Sequence, residues 1–352
     1  MSAPQSPAEH AEEADEGVID PALPICDPHH HLWDHPGSRY LLDELLADTG
    51  AVDARGARHD VRATVFVECG SMFRADGPLP LWPVGETEFV QGIAAMSASG
   101  GYGDTRVAAG IVSFADLRLG AAVRQVLQAH IDAARNRFRG VRHAAGWHAD
   151  ERIRNSHSHP PEGLLLDERF REGFAQLAPL GLSFDAWLFH PQLPELTSLA
   201  RAFPDTTIVL DHFGGPLGIG PYAGAADAVY AQWRRDIDEL ARCPNVVAKL
   251  GGLAMPINGF GWHKRERPPG SRELADATAR YYLHAIDKFG PARCMFESNF
   301  PVDKVSCSYT VVWNSFKRLT ADFSAADKAA LFHDTAVRVY RLGAAGGGAA
   351  PV

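Results

Sequence analysis

Three short stretches of this chain place metal-ligating or proton-transferring side chains where an apolar run ends. The first is Asp27-Pro28-His29-His30-His31-Leu32-Trp33-Asp34. In an extended strand residues i and i+2 point to the same side, so His29 and His31 present two imidazoles to one point while His30 faces away. Two imidazoles so placed suit a divalent metal. The second is Val209-Leu210-Asp211-His212-Phe213-Gly214-Gly215-Pro216. Here His212 is either a third ligand or a polariser of a substrate carbonyl, and Asp211 orients a neighbouring group. The third runs from Cys294 to Lys304 and carries Glu297, Asn299 and Asp303. The candidate metal set is therefore His29, His31 and His212, and the candidate catalytic set adds Glu297, Asn299 and Asp303.

Other run ends carry candidate substrate contacts. Arg142 closes Phe138-Arg139-Gly140-Val141-Arg142-His143. A guanidinium there can hold a carboxylate or sulfonate with two parallel hydrogen bonds, so Arg142 with His143 is the expected anion site. His190 ends another run and is a ligand or substrate contact. Lys249 either meets a substrate oxygen or pairs with a carboxylate inside the fold. Glu68, before Cys69-Gly70, is read as a supporting group. Trp147 and Trp262 are the tryptophans read as pocket walls. The loops holding Met72-Phe73 and His157/His159 read as solvated in preference to a lid over the site.

These residues need elements to position them. Eight short runs, at 25–29, 63–68, 107–112, 138–143, 183–189, 207–211, 246–250 and 294–297, are apolar nearly without interruption. Strands buried on both faces of a parallel sheet read that way. Helical patterns separate most of them, at 86–98, 119–134, 169–177, 193–203, 225–241 and 272–289, with 309–319 and 325–341 after the last strand. Ser324 is the expected N-cap of the final helix. Strand alternating with helix predicts an α/β fold with a parallel sheet. Eight strands, with no Gly-x-Gly-x-x-Gly after the first, predict a closed (β/α)8 TIM barrel rather than an open dinucleotide-binding sheet. Loops after barrel strands form the catalytic face.

Length and composition set bounds. The 352 residues, 46% apolar and 22% charged, suit one soluble barrel with insertions. A net charge of -9 argues against a nucleic-acid partner. It leaves room for an anionic small molecule, since a local arginine cluster overrides net charge. No run approaches the ~20 apolar residues of a membrane span. Residues 1–17 lack the basic and apolar regions of a signal peptide. Five scattered cysteines without Cys-x-x-Cys spacing point to reduced thiols in a cytoplasmic protein. The expected organisation is an acidic flexible tail over 1–20, one barrel domain over 21–342 and a flexible tail over 343–352. A homo-oligomer is compatible with all of this.

Taken jointly, Asp-x-His-x-His-Leu-Trp-Asp, Val-x-Asp-His-x-Gly-x-Pro and Phe-x-Ser-Asn-x-Pro-Val resemble the amidohydrolase 2 family. So do Phe138 to His143 and Pro191-Gln192-Leu193-Pro194, and the resemblance spans roughly residues 24–342. It is strongest to the lactonase-like branch that holds 2-pyrone-4,6-dicarboxylate lactonase, L-fuconolactonase and 4-sulfomuconolactone hydrolase. The resemblance implies an amidohydrolase-type barrel that hydrolyses a small anionic lactone. It implies one divalent metal, zinc first, with manganese or no metal as alternatives. By position, His29 and His31 match the family's His-x-His pair and His212 its later histidine. Asn299 stands where the family usually has a last-strand Asp, and Glu297 where Gly is common. An amide cannot take a proton at neutral pH and is a weaker ligand. Three readings follow. Glu297 supplies the carboxylate from deeper on the same strand face, Asp303 reaches in from the loop, or the site is remodelled. A metal-dependent decarboxylase of an aromatic or related acid and a non-catalytic ligand-binding barrel are the competing functions.

Overall fold

The computed structural model describes residues 16–343. Eight parallel strands follow one another around a barrel: β1 Pro24–His30, β2 Asp60–Val67, β3 Arg106–Ser113, β4 Phe138–Arg142, β5 Ser183–Ala186, β6 Ile208–Leu210, β7 Val246–Leu250 and β8 Cys294–Phe296. Each pairs with the next in sequence, as the expected (β/α)8 barrel requires. Eight helices follow or flank the strands: α1 Leu42–Thr49, α2 Val84–Ala98, α3 Val123–Ala133, α4 Glu168–Phe174, α5 Leu193–Ala202, α6 Ala226–Leu240, α7 Ser271–Phe289 and α8 Tyr309–Leu319. No helix among the described residues is long and apolar enough to cross a membrane.

Strand periodicity sorts the side chains into two cores. Outward-facing Ile208 and Leu210, Val246 and Ala248, and Cys294 and Phe296 pack under the helices. On α6, for example, Trp233, Ile237 and Leu240 form the buried stripe, at the spacing of one helix face. Inward-facing Cys26, Val65, Val67, Val209, Val247 and Met295 fill the barrel together with Tyr340 and Leu342. One strand step above three of these sit Asp211, Lys249 and Glu297, since side chains two residues apart share a face. An apolar plug thus supports a layer of ionisable groups.

The last strand barely pairs with the first. Only an isolated parallel bridge joins His30 to Phe300. The remaining closure uses the catalytic-looking motifs themselves. Asn299 donates its N–H to the His29 carbonyl at 3.0 Å, and His31 donates to the Phe300 carbonyl at 2.8 Å. Asp27 reinforces the seam by accepting from the Ser298 N–H at 3.0 Å and the Tyr309 hydroxyl at 3.0 Å.

Several elements differ from expectation. A hairpin, Trp33–His35 with Ser38–Tyr40, and helix α1 precede β2. Strands of three residues carry too few side chains for a period to show. The C-terminal helical run has a π turn, Ala330–Asp334, between Ala325–Ala329 and Thr335–Val339, and Ser324 caps its start. Residues 16–20, expected to belong to a flexible tail, are tied down instead. Val18 donates to Asp53 at 2.8 Å and Lys317 donates to the Ile19 and Asp20 carbonyls. Most of both expected tails, 1–15 and 344–352, lies outside the described residues.

Because Asp27 serves two donors across the seam, Asp27→Ala leaves them unpaired in the interior. We expect a loss of about 2–4 kcal/mol in urea unfolding. A variant as stable as the wild type would show that the seam does not depend on this carboxylate.

Candidate active site

Residues at the ends of β1, β2, β4, β6 and the segment after β8 surround a cavity of about 400 Å³, and the loop after β4 covers part of it. Its wall includes His31, Arg142, His212 and Asn299, between the rings of Trp33 and Trp187. A volume of that size suits a small ligand.

Beneath the cavity lies the buried ionisable layer. Glu297 is its hinge. Its Oε2 lies 2.9 Å from Nδ1 of His29, and its Oε1 lies 2.7 Å from Nδ1 of His212. Burial alone would raise its pKa, but the two imidazoles outweigh burial and hold it at about 2. His29 is held well below its usual pKa by burial and by Lys249, so it is neutral. An ionised Glu297 accepts Nδ1–H from His212, which leaves Nε2 as the basic nitrogen of that ring, whereas Nδ1 of His29 lies between Oε2 of Glu297 and the Lys249 ammonium, 3.2 Å away. A carbonyl does the same for His31, whose Nδ1 lies 2.8 Å from the Val67 oxygen. Burial first, then Arg142, keeps His31 neutral as well.

The backbone has to accommodate Glu297 and His212. His212 sits in the left-handed region at φ 51°, within a turn completed by Gly214 and Gly215. A Cβ on Gly252 would lie 2.5 Å from Nδ1 of His212, and one on Gly251 would lie 2.3 Å from the Glu297 carbonyl. The Gly251-Gly252 pair after β7 is needed for that close approach.

Lys249 is fully buried on the floor of the barrel rather than at its mouth. Its Nζ lies 2.7 Å from Asp185, 3.2 Å from Asp211 and 3.2 Å from Nδ1 of His29. Burial would lower its pKa, yet Asp185 and Asp211 raise it above the ordinary value, so it is an ammonium. Asp185 also accepts from the Tyr340 hydroxyl at 2.7 Å. Burial lifts the Asp185 pKa to about 6, with Lys249 opposing. Lys249, expected either to meet a substrate oxygen or to pair with an internal carboxylate, does not line the cavity and pairs with Asp185 and Asp211.

Arg142 reaches the cavity, but its charge is shared with the protein. It donates through Nε to Glu68 at 2.7 Å and lies 3.5 Å from Asp211. Glu68 also meets His157 at 2.8 Å, so the loop read as solvated sends a side chain into the site. Burial opposes ionisation of Glu68, but His157 and Arg142 hold its pKa at about 2.

The other sequence candidates divide. Asn299 lines the cavity and donates Nδ2–H to Asp303 at 3.0 Å. That leaves Oδ1 of Asn299 as an acceptor toward the cavity. Asp303 stands behind it, also accepting from the Ala254 N–H, and burial raises its pKa to about 7. His143 points outward, because it follows inward-facing Arg142 on the strand. It packs against Phe114 and Phe170. His190 caps the Leu217 N–H at 3.3 Å and touches Tyr222, away from the cavity wall. Trp147 and Trp262 do not line the cavity; Trp33 and Trp187 take that place. Asp185 and Tyr340 were missed. A carboxylate inside the apolar run Ser183-Phe184-Asp185-Ala186 was the available signal for the first.

A family model described as amidohydrolase matches residues 26–342. The chain belongs to the amidohydrolase family. Its curated relatives include the uncharacterised protein y4mH of Sinorhizobium fredii, 34% identical over 91% of this chain and 99% of that protein. An L-fucono-1,5-lactonase of Burkholderia multivorans is 30% identical over 68% of this chain and 73% of its own length. Among solved structures, an amidohydrolase from Burkholderia multivorans with bound zinc superposes with a TM-score of 0.67 at 27% identity. It covers 91% of this chain and 99% of that one.

The donor set of this amidohydrolase fits a divalent metal. Nε2 of His29 and Nε2 of His31 are 3.3 Å apart. Two nitrogens bonded at about 2.0–2.1 Å to one tetrahedral ion are separated by roughly that distance. The Val67 carbonyl on Nδ1 leaves the Nε2 lone pair of His31 available to an ion. His29, His212 and Glu297 also bring ligand-type atoms within 4.8 Å of one another, and Oε2 of Glu297 has no hydrogen-bond partner among the described residues while Oε1 is engaged by Nδ1 of His212.

Asp303 must be ionised to hold the Asn299 amide as described. Its raised pKa makes that state dominant only above pH about 7. Activity should therefore fall as pH drops through about 7, and kcat/KM of Asp303→Asn should lack that inflection. A wild-type profile that is flat across this range would remove Asn299 orientation from the mechanism.

Proposed function

We propose that this amidohydrolase hydrolyses a lactone, adding water to the ester carbonyl of a small ring in the cavity between Trp33 and Trp187. The observation that carries the reading is the Glu297 carboxylate set between Nδ1 of His29 and Nδ1 of His212. It makes an oriented pair of base and carboxylate, with the basic Nε2 of His212 on a residue lining the cavity. The L-fucono-1,5-lactonase relative supports a cyclic ester as the substrate class.

His212 takes the proton from water as the oxygen attacks the carbonyl carbon. Glu297 steadies the imidazolium that forms. Oδ1 of Asn299 accepts a hydrogen bond and fixes the water's orientation without taking its proton. Arg142 places a permanent positive charge 3.4 Å from Nε2 of His29, where charge developing on the carbonyl oxygen is stabilised. His212 then returns the proton to the ring oxygen as the acyl–oxygen bond breaks. His29 and His31 would hold a divalent ion, zinc by ligand type, which when bound lowers the pKa of water and polarises a carbonyl. Five scattered cysteines without Cys-x-x-Cys spacing fit a reducing compartment, and we place the enzyme in the cytoplasm.

Two measurements test this reading. Lactone opening, followed by acid release with a pH indicator, should fall roughly 100- to 10,000-fold in His212→Asn. Glu297→Gln should fall in the same direction while the fold, checked by circular dichroism, stays intact. Full turnover in His212→Asn would sink the mechanism. Separately, elemental analysis should find about one divalent ion per chain, absent from His29→Ala/His31→Ala. A metal-free wild type that is active after chelation would leave the chemistry to the histidines alone.

A further inference from the structure

The cavity wall is short of negative charge in a chain that carries a formal -9. Among the described residues that line it, none is a carboxylate. The charged side chains there are Arg142, Arg154 and, when protonated, His157. Two of these are already answered from below. Glu68 receives Arg142 on one oxygen and His157 on the other. Arg142 has Asp211 in reach as well.

Arg154 differs. No hydrogen bond or ion pair engages its guanidinium among the described residues, although neighbouring Arg152 is paired with Asp150. Its base is nevertheless fixed. Ile153 is buried against Phe189 and Leu217. Asn155 accepts the His148 N–H at 2.7 Å, and Ser156 donates to the Gly146 carbonyl at 2.8 Å. His157, three residues on, is anchored to Glu68. The loop thus presents one uncompensated guanidinium on the wall of the cavity, from a backbone held on both sides.

We propose that Arg154 is the specificity-determining residue of the site, and that it binds a carboxylate carried by the substrate outside the reacting ester. This rests on the lactone-hydrolase reading and narrows its substrate to an anionic lactone. It transfers the anion-binding role expected of Arg142 and His143 to a residue whose charge is free. A planar guanidinium takes a carboxylate with two parallel hydrogen bonds. An unsubstituted sugar lactone has no group to make them, so such a lactone is a poor substrate for this chain.

The test compares a γ-butyrolactone bearing a ring carboxylate with the matching uncharged carboxamide, on wild type, Arg154→Gln and Arg154→Lys. Arg152→Gln is the control for charge alone. Wild type should favour the carboxylate by roughly 10-fold or more in KM, the scale of a charge-assisted hydrogen bond. Arg154→Gln should abolish that preference by raising KM for the carboxylate roughly 10-fold more than KM for the carboxamide. Arg154→Lys should recover part of it, and Arg152→Gln should keep it. Equal effects of Arg154→Gln on both lactones, or no preference in the wild type, would overturn the proposal. Calorimetric binding of the carboxylate lactone separates the two claims. Binding that depends on Arg154 without turnover of either lactone keeps the subsite and removes the lactonase reading. Turnover with binding indifferent to Arg154 does the reverse.

Discussion

The site is organised by the need to neutralise charge where water cannot reach. Asp185, Asp211, Lys249 and Glu297 are fully buried, and Arg142 and Glu68 nearly so. Isolated, any of them would cost several kcal/mol to hold ionised in the interior. They are tolerated because each answers another. Lys249 sits between Asp185 and Asp211, Arg142 between Asp211 and Glu68, and Glu297 between two imidazoles. Removing one member strands its partners, so the layer acts as a unit.

That layer in turn constrains the chemistry. Glu297 sets the tautomer of His212, and the Val67 carbonyl sets that of His31. The nitrogens left over are the ones that could hold a metal or accept a proton. A carboxylate at position 297 is thus used for orientation. The carboxylate behind Asn299 is used to fix an amide. Neither carboxylate stands at position 299 itself, where the resemblance leads one to expect an acid.

The same residues hold the barrel shut. With almost no ladder between its first and last strands, closure falls to hydrogen bonds from His31, Asn299 and Asp27. Placement of the candidate site and barrel integrity share a seam that runs from Asp27 to His31. At the other end, Tyr340 and Leu342 from the C-terminal segment fill the barrel and reach Asp185. The floor of the site is built from both ends of the chain.

Much of this was legible in the sequence. Apolar runs separated by helical periods determine eight strands and the barrel, because burial on both faces leaves a continuous hydrophobic signature. The His29-x-His31 spacing determines that two imidazoles share a face. The inward or outward fate of Arg142 and His143 also follows from strand alternation, once the register is known. Register was the missing quantity. Only the folded barrel decided that Arg142 spends its charge on Glu68, that Lys249 lies on the floor and that His157 reaches in from a loop. Those contacts join residues 64 to 220 positions apart. Local spacing fixes which face a side chain takes, but which charge it meets across the barrel depends on packing that no short stretch of sequence contains.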